Sequence, residues 1–386
     1  MTSAVFDVCV SGSGAVARAL ALALSGQGWR VAWACEPGAL TARPHDIRTY
    51  ALNARAIALL ERLRVWPQLQ AHAAPVHEMR IQGDEGGGLT FSAWQQCVGE
   101  LTWIVDAGAL ERLLGEALRF APHVTQVPPL GPDNAGVSAS LLAICEGKFS
   151  GTRSALGVSF TRHDYGHWGV AARLKASRPH AGIARQWFRS PDVLALLPFN
   201  DPAPGASYGL VWSVPRERAQ ALMALPPHAF EAELQQALRE SDAAGALAVG
   251  DLTLTSEVAS WPLALAQADT WTGPGWALLG DAAHQVHPLA GQGLNLGLAD
   301  VDALVDVLGQ SREREPWRSP GDERVLRRYA RARWLPTQAM AGLTDTLLHL
   351  FANDQNLPRE LRNRGMGLLD RLTPVKRWLV SRALDA

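Results

Sequence analysis

Two glycine clusters and two acidic residues in this chain carry the spacing needed to hold a phosphorylated, hydroxyl-rich ligand. The first cluster is Gly12-Ser13-Gly14-Ala15-Val16-Ala17, directly after the β-type run Val5–Val10. Gly12 permits a tight turn and Gly14 admits a pyrophosphate to bare backbone. Position 17 needs only a small side chain for helix–strand packing, which Ala17 supplies. Glu36 lies 24 positions after Gly12, close to the spacing at which a carboxylate takes a ribose hydroxyl. The second cluster lies far along the chain, in Gly280-Asp281-Ala282-Ala283-His284-Gln285-Val286-His287-Pro288-Leu289-Ala290-Gly291-Gln292-Gly293-Leu294-Asn295. Asp281 follows the apolar run Trp276–Leu279 and is placed to accept hydrogen bonds from a polyol or ribose. Gly291 and Gly293 stand at a helix start, flanked by Pro288, Leu294 and Asn295. Bare N–H groups and the helix dipole there favour a flat, partly anionic ligand.

The elements that position these groups follow from hydrophobic period. Around the first cluster the order is strand, Ala/Leu helix to about Ser25, a Gly26-Gln27-Gly28 stop, and a second strand over Trp29–Cys35. That is a βαβ unit. The second cluster leads into a helix on which Leu294, Leu298, Val301, Leu304, Val305 and Leu308 share a face. Between the two, Arg48 lies in Asp46-Ile47-Arg48-Thr49-Tyr50-Ala51-Leu52-Asn53. It can pair with a phosphate, lie over a ring, or be a solvated loop arginine. Helices are expected over 54–63, 107–120 and 226–241. Residues 121–140, rich in Pro, Gly, Asn and Ser, read as loop. Extended segments are expected at Ala184–Phe188, Leu194–Pro198, Tyr208–Ser213 and Leu252–Ser260. Trp187, Phe199, Tyr208 and Trp212 either line an apolar pocket or fill a core. The fold class is therefore α/β: a Rossmann-like dinucleotide domain (1–73, 106–164 and 269–315) with an inserted β-rich second domain (74–105 and 165–268). A C-terminal helical region (316–386) completes it.

With 386 residues, 47% hydrophobic and 19% charged, the chain can bury a sizeable core. A net charge of −1 sets up no field for nucleic acid. The four cysteines lack CxxC spacing, as expected for free thiols in a reducing compartment. The N-terminus has no basic leader, and no apolar run has the length of a membrane span, so a cytoplasmic protein is expected. Seven basic residues over 359–382, interleaved with Leu, Met, Trp and Val, read either as a helix packed on its own domain or as a face for an anionic membrane or an acidic partner.

Taken in order, the GxGxxA turn with Glu36, the Arg48 segment and Gly280–Asn295 resemble the FAD-dependent aromatic hydroxylases of the para-hydroxybenzoate hydroxylase type. Arg48–Asn53, Leu59-Leu60-Glu61-Arg62-Leu63, His163-Asp164-Tyr165-Gly166, Leu197-Pro198-Phe199 and Gly367–Arg377 resemble the ubiquinone-biosynthesis branch of that family. The resemblance implies FAD as cofactor, NADH or NADPH as reductant, and hydroxylation of an aromatic ring through a flavin C4a-hydroperoxide. The implied substrate is a ubiquinone precursor bearing a polyprenyl chain, which would bring the protein to the inner face of a membrane and into a biosynthetic assembly. Under it, Gly12 and Gly14 meet the pyrophosphate and Glu36 the adenosine ribose. Arg48 sits near the flavin or its phosphates, Asp281 holds the ribityl chain, and Pro288–Asn295 wraps the isoalloxazine edge. His284 and His287 also form an HxxH pair, but no third ligand lies nearby in sequence and the flavin loop accounts for the segment, so no metal site is expected. No catalytic acid or base stands out.

The chain departs from the family pattern at four places: Ala17 for a third glycine, Glu146 for an aspartate, Ala107 for an amide side chain, and a Pro/Gly/Asn stretch at 121–140 for a β-hairpin. Two alternatives to the quinone hydroxylase follow. One is a flavin-fold partner of a biosynthetic assembly with weakened catalysis. The other is a flavin monooxygenase of another aromatic substrate.

Overall fold

The computed structural model describes residues 5–38, 46–83, 87–131, 137–285 and 293–352. Pro288, Gly291 and the basic segment 359–382 lie outside the described residues. The chain opens with β1 (Val5–Ser11), α1 (Ala15–Gly26), β2 (Val31–Ala34), β3 (Thr49–Leu52), α2 (Ala54–Arg62) and α3 (Trp66–Gln70). It continues through β4 (Ala74–Val76), β5 (Glu78–Gln82), β6 (Gly88–Ser92), α4 (Ala93–Gln96), β7 (Thr102–Asp106), α5 (Ala107–Leu118), β8 (Val124–Val127), β9 (Ser138–Ile144) and α6 (Gly151–Ala155). A β-rich stretch follows: β10 (Phe160–Ala176), β11 (Ile183–Arg189), β12 (Asp192–Phe199) and β13 (Ser207–Pro215). Helices α7 (Arg216–Met223), α8 (Pro227–Ser241) and α9 (Ala243–Val249) come next, then β14 (Leu252–Leu254) and β15 (Ala259–Ala268). The last elements are β16 (Thr272–Gly273), β17 (Trp276–Leu278), β18 (His284–Gln285), α10 (Gly293–Arg314) and α11 (Glu323–Ala352).

The first sheet runs β16-β17-β9-β1-β2-β8, and all its pairings except β16–β17 are parallel. Parallel strands need both faces covered, so they read as continuous apolar runs. The burial of all four residues of β2 fits that rule. Helices α1, α5 and α10 cover one face through Leu20, Leu24, Leu110, Leu114, Val301 and Leu304. From β1 the chain moves to β2 on one side and later returns as β9 on the other. That reversal opens a crevice at the carboxyl ends of β1 and β9, where ligands of open α/β sheets bind.

The second sheet has nine strands, in the order β18-β15-β10-β13-β12-β11-β5-β6 with β14 also on β10. Its strands alternate, as a sheet with two different faces must. Trp187, Tyr208 and Trp212 point to one side and pack under α8 against Phe230, Leu234 and Leu238. These aromatics are core, as is Phe199. A third sheet, β3-β7-β4, lies between the other two. Its period-2 alternation divides the work: Leu52 and Val105 enter the first core, while Ala51, Ile104 and Val76 meet Ala184 and Phe199 of the second sheet.

Three sequence expectations need correction. Residues 121–140 are not all loop, because β8 adds an edge strand to the parallel sheet beside β2. The run of second-sheet strands expected from 165 starts at Phe160, and β18 returns to that sheet's edge from beyond 268. The extended run expected over Leu252–Ser260 is two strands broken at 255–258, both pairing with β10. Short edge strands with few apolar residues carry too weak a period to be seen without their neighbours.

The C-terminal helix α11 packs on the first sheet. Tyr329 donates from its hydroxyl to the Leu278 carbonyl at 2.8 Å, and Trp334 tilts against Trp271 at 5.6 Å between ring centroids. Among the described residues no helix is long and apolar enough to cross a membrane.

Candidate active site

The GxGxxA turn sits in the crevice, and its glycines do different jobs. Gly12 has φ +130°, and a Cβ there would lie 2.4 Å from the Cys145 carbonyl oxygen. Glycine at 12 therefore lets β1 and the end of β9 close on each other. Gly14 has an ordinary extended backbone as N-cap of α1, and a Cβ there would meet nothing within 4 Å. It faces open space. Helix α1 has no side-chain cap and no acidic residue in its first turn, so its first N–H groups are free to receive an anion. Arg18 is buried and donates from Nε to the Ser13 carbonyl at 2.8 Å, shaping the loop from behind. Ala17 is fully buried in the core, so it belongs to helix–sheet packing and not to the ligand surface. Glu36 is exposed at the end of β2, on the cavity wall.

The departure at Glu146 has a structural account. Its carboxylate accepts from the hydroxyls of Ser11 at 2.5 Å, Ser150 at 2.7 Å and Thr152 at 2.5 Å, and from the Thr152 N–H at 3.1 Å. Burial raises its pKa, but these four donors outweigh burial and hold it below the ordinary value. The extra methylene lets one carboxylate tie the end of β1 to the α6 turn. Ala107 is fully buried and gives its N–H to the Arg48 carbonyl at 3.1 Å.

Arg48 lines the cavity, but its charge is already matched: Asp46 takes it through two oxygens, the nearer at 2.6 Å. Tyr50 beside it is neutral at physiological pH, since burial pushes its phenol up to about 12 against the opposing pull of Arg48. It can donate a hydrogen bond into the cavity, a role the sequence reading did not give it.

Asp281 and α10 close the other side. Asp281 is open to the cavity yet otherwise enclosed by protein. Lost hydration raises its pKa, with His284, Lys148 and Arg48 pulling the other way. No side-chain partner satisfies it among the described residues. Gly293 and Leu294 line the cavity at the start of α10, and a Cβ on Gly293 would meet nothing within 4 Å. Asn295 instead turns inward. It is buried, donates from Nδ2 to the Ala51 carbonyl at 2.8 Å and accepts the Asn53 N–H at 3.2 Å. Its side chain clamps α10 to β3 and α2 and does not face a ligand.

Behind Asp281 lies a group that the sequence did not announce. Asp300, fully buried on α10, accepts the Gly280 N–H at 2.9 Å, His284 Nε2 at 2.7 Å and Arg333 Nε at 2.7 Å. A carboxylate only accepts, so Nε2 is the protonated nitrogen of His284. Gly297 makes this packing possible, since a Cβ there would come within 2.7 Å of Val16. The HxxH histidine is thus a strut of the loop.

The crevice opens into one cavity of about 1160 Å³. It runs from Gly12–Val16, Glu36 and Glu146 past Arg48 and Asp281 to the free face of the nine-stranded sheet. Single-ligand pockets span roughly 300–1,000 Å³, so this cavity has room for a dinucleotide and a second molecule. The bare α1 terminus, the open space at Gly14 and Gly293, and carboxylates at two separate points suit a molecule with a central pyrophosphate and a hydroxyl-bearing unit on each side. The residues fit FAD.

Comparison with known proteins agrees. The chain is 29% identical over 399 residues to the ubiquinone hydroxylase UbiL of Rhodospirillum rubrum, covering 98% of this chain and 90% of that protein. It is also 29% identical to the 3-demethoxyubiquinol 3-hydroxylase of Escherichia coli (strain K12), over the full length of both. Among solved structures it shares its fold with pqsL, a probable FAD-dependent monooxygenase from Pseudomonas aeruginosa. That match has a TM-score of 0.75 at 22% identity, covering 94% of this chain and 99% of the other. The family model for the FAD binding domain matches residues 130–341, more than half of the chain, and spans the Glu146 turn, the strands β10–β15 of the second sheet, Asp281 and α10. With the cofactor crevice already built from its residues, this chain belongs to the FAD binding domain family.

Proposed function

We propose that this protein is an FAD-dependent monooxygenase that hydroxylates the aromatic ring of a ubiquinone precursor. The observation that carries the reading is the single cavity joining the dinucleotide crevice to an apolar sheet face. Relatives that align over nearly the whole chain and bear ubiquinone-hydroxylase names support the substrate class. Bound FAD supplies the redox chemistry: with two electrons from NADH or NADPH and one O2, one oxygen atom enters the ring and the other leaves as water.

The chain's own work is to bind, orient and keep dry. The α1 N-terminus and the bare backbone at Gly14 take the pyrophosphate, and Glu36 takes the adenosine ribose. Asp281 accepts from the ribityl hydroxyls. The α10 N-terminus at Gly293 and Leu294 would offer its partial positive charge to a flavin held in the cavity. Tyr50 offers a neutral donor nearby. The sheet face excludes water, which protects a reactive oxidant from wasteful decay. Glu146 and Ala107, the two departures nearest the crevice, are each absorbed into the scaffold by hydrogen bonds. They give no support to a non-catalytic reading.

The reading is tested by a visible spectrum of the protein titrated with FAD, followed by NADH or NADPH first without and then with air. The protein is expected to turn yellow, bleach, and recover its colour as oxygen is consumed and a hydroxylated ring accumulates. A protein that takes up no FAD would overturn the proposal. Peripheral contact of the basic segment 359–382 with an anionic membrane is part of the same proposal. Removal of residues 359–386 is expected to abolish co-sedimentation with anionic vesicles; unchanged co-sedimentation would rule that contact out.

A further inference from the structure

The cavity's far wall has a simple plan. Three cross-strand rows of the second sheet face it. The first is Met79, Ala184, Leu197 and Gly209; the second is Gln186, Ala195, Val211 and Ala171; the third is Val193, Ser213, Gly169 and Trp261. Small side chains make up the middle, and larger apolar ones stand at the edges. The result is a shallow dish on which a flat ring can lie.

One end of the dish abuts the cofactor domain. Gly209 lacks a side chain because Thr49 of β3 occupies that place: a Cβ on Gly209 would lie 2.7 Å from Thr49 Oγ1. Arg173, opposite Gly209, is bound to Asp106 and to the Asp46 carbonyl, so it has no charge to spare for a ligand. Ser213 lies four residues further along β13, about 13 Å from Gly209 at ~3.3 Å per residue.

Ser213 is anomalous. Its chain neighbours Trp212 and Val214 point into the helix-covered core, so Ser213 points to the dish. It is only 4% exposed, lines the cavity, and its hydroxyl has no hydrogen-bond partner. A buried hydroxyl without a partner costs roughly 1–3 kcal/mol, and valine or alanine would fill the place without that cost. Gln186, the other uncharged polar side chain in these three rows, sits two strands away and one row nearer the cofactor end. It is too distant to pair with Ser213.

We propose that Ser213 is a substrate-specificity residue: its hydroxyl pairs with an oxygen substituent on the aromatic ring held in the dish. This rests on the aromatic-substrate reading above and goes further, by naming the substituent class and the residue that selects it. The Ser213 oxygen is covered in the empty cavity, and a turn about its χ1 bond brings it to the ligand, which satisfies it; a ring lacking that oxygen leaves it unpaired. A site built to hydrogen-bond a substrate hydroxyl discriminates in this way against an analogue without it.

The test is calorimetric binding to the FAD-loaded protein of two probes, 2-allylphenol and allylbenzene, which differ by one hydroxyl. The wild-type protein is expected to bind the phenol about tenfold or more tightly than the hydrocarbon. In Ser213→Ala that preference should shrink to about twofold or less, while the affinity for allylbenzene is unchanged. The unchanged hydrocarbon affinity shows that the dish is intact. Ser213→Cys, nearly isosteric but a weak hydrogen-bonding partner, should behave as the alanine variant does, and Ser213→Thr should keep the preference. If the alanine and cysteine variants retain the full preference, or if the wild-type protein binds both probes equally, the inference is overturned while the aromatic-substrate reading survives. If the wild-type protein binds neither probe, both fall.

Discussion

Replacing Asp300 with alanine is expected to destabilise the protein by about 3–5 kcal/mol, the cost of breaking a buried ion pair from one side. Three donors lose their acceptor at once. The Arg333 guanidinium is left as an uncompensated charge that is 1% exposed, and His284 Nε2 and the Gly280 N–H lose their partner. The sign of the pH dependence follows. Burial alone would raise the pKa of Asp300, but His284 and Arg333 outweigh it and hold the carboxylate below its ordinary range. A group depressed on folding contributes stability that is complete above its unfolded pKa of about 3.9 and is lost as pH falls through its folded value. The wild-type advantage over Asp300→Ala should therefore be full at neutral pH and narrow in acid. Urea unfolding at several pH values measures it, and a loss under about 1 kcal/mol at neutral pH would contradict the buried-strut account. Because Asp300 holds Gly280 directly before Asp281 and also receives α11 through Arg333, FAD affinity should fall in the same variant.

Gly14→Val should separate folding from cofactor binding. Nothing lies within 4 Å of a Cβ at this position, and its φ of −78° suits any residue. The cost to folding is expected to stay within about 1 kcal/mol, that of a poor N-cap. The isopropyl group would occupy the space in front of the α1 N–H groups, and FAD affinity should drop by at least about 100-fold, since those N–H groups and the helix dipole form the anion site. The readout is an FAD titration beside a melting curve. A variant that stays yellow with wild-type affinity would show that the pyrophosphate does not bind at this turn. Gly12 cannot serve for this test, because a Cβ 2.4 Å from the Cys145 carbonyl would disturb the sheet itself.

The cofactor end of the site was legible in the sequence because it is local. A strand, a glycine turn and a helix start fall within one short stretch, and the ligand meets backbone whose geometry glycine spacing announces. Gly12, Gly14, Glu36, Asp281, Gly293 and Leu294 all line the same cavity. The same locality misled the reading at Ala17 and Asn295. Both sit in the motif, but Ala17 faces the core and Asn295 reaches Ala51 and Asn53, more than 240 positions away. Glu146 looked like a weakened contact until its donors from Ser11 and Thr152 were in place. The edge strand β8 escaped notice because a four-residue strand declares itself only through its neighbour.

The sequence by itself determined a βαβ unit with a glycine turn, a second glycine-rich stretch leading into a helix, and a β-rich segment that interrupts the α/β pattern. Those are consequences of backbone propensity and hydrophobic period, which act over a few residues. Only the tertiary structure decided which face of the second sheet looks into the crevice, and so that Trp187, Tyr208 and Trp212 are core while Ser213 lies on the cavity side. It alone brought Arg333 to Asp300 and His284. Strand alternation supplies two faces, but which one is covered depends on where α8 lands, and buried hydrogen bonds join residues that nothing local in the chain relates.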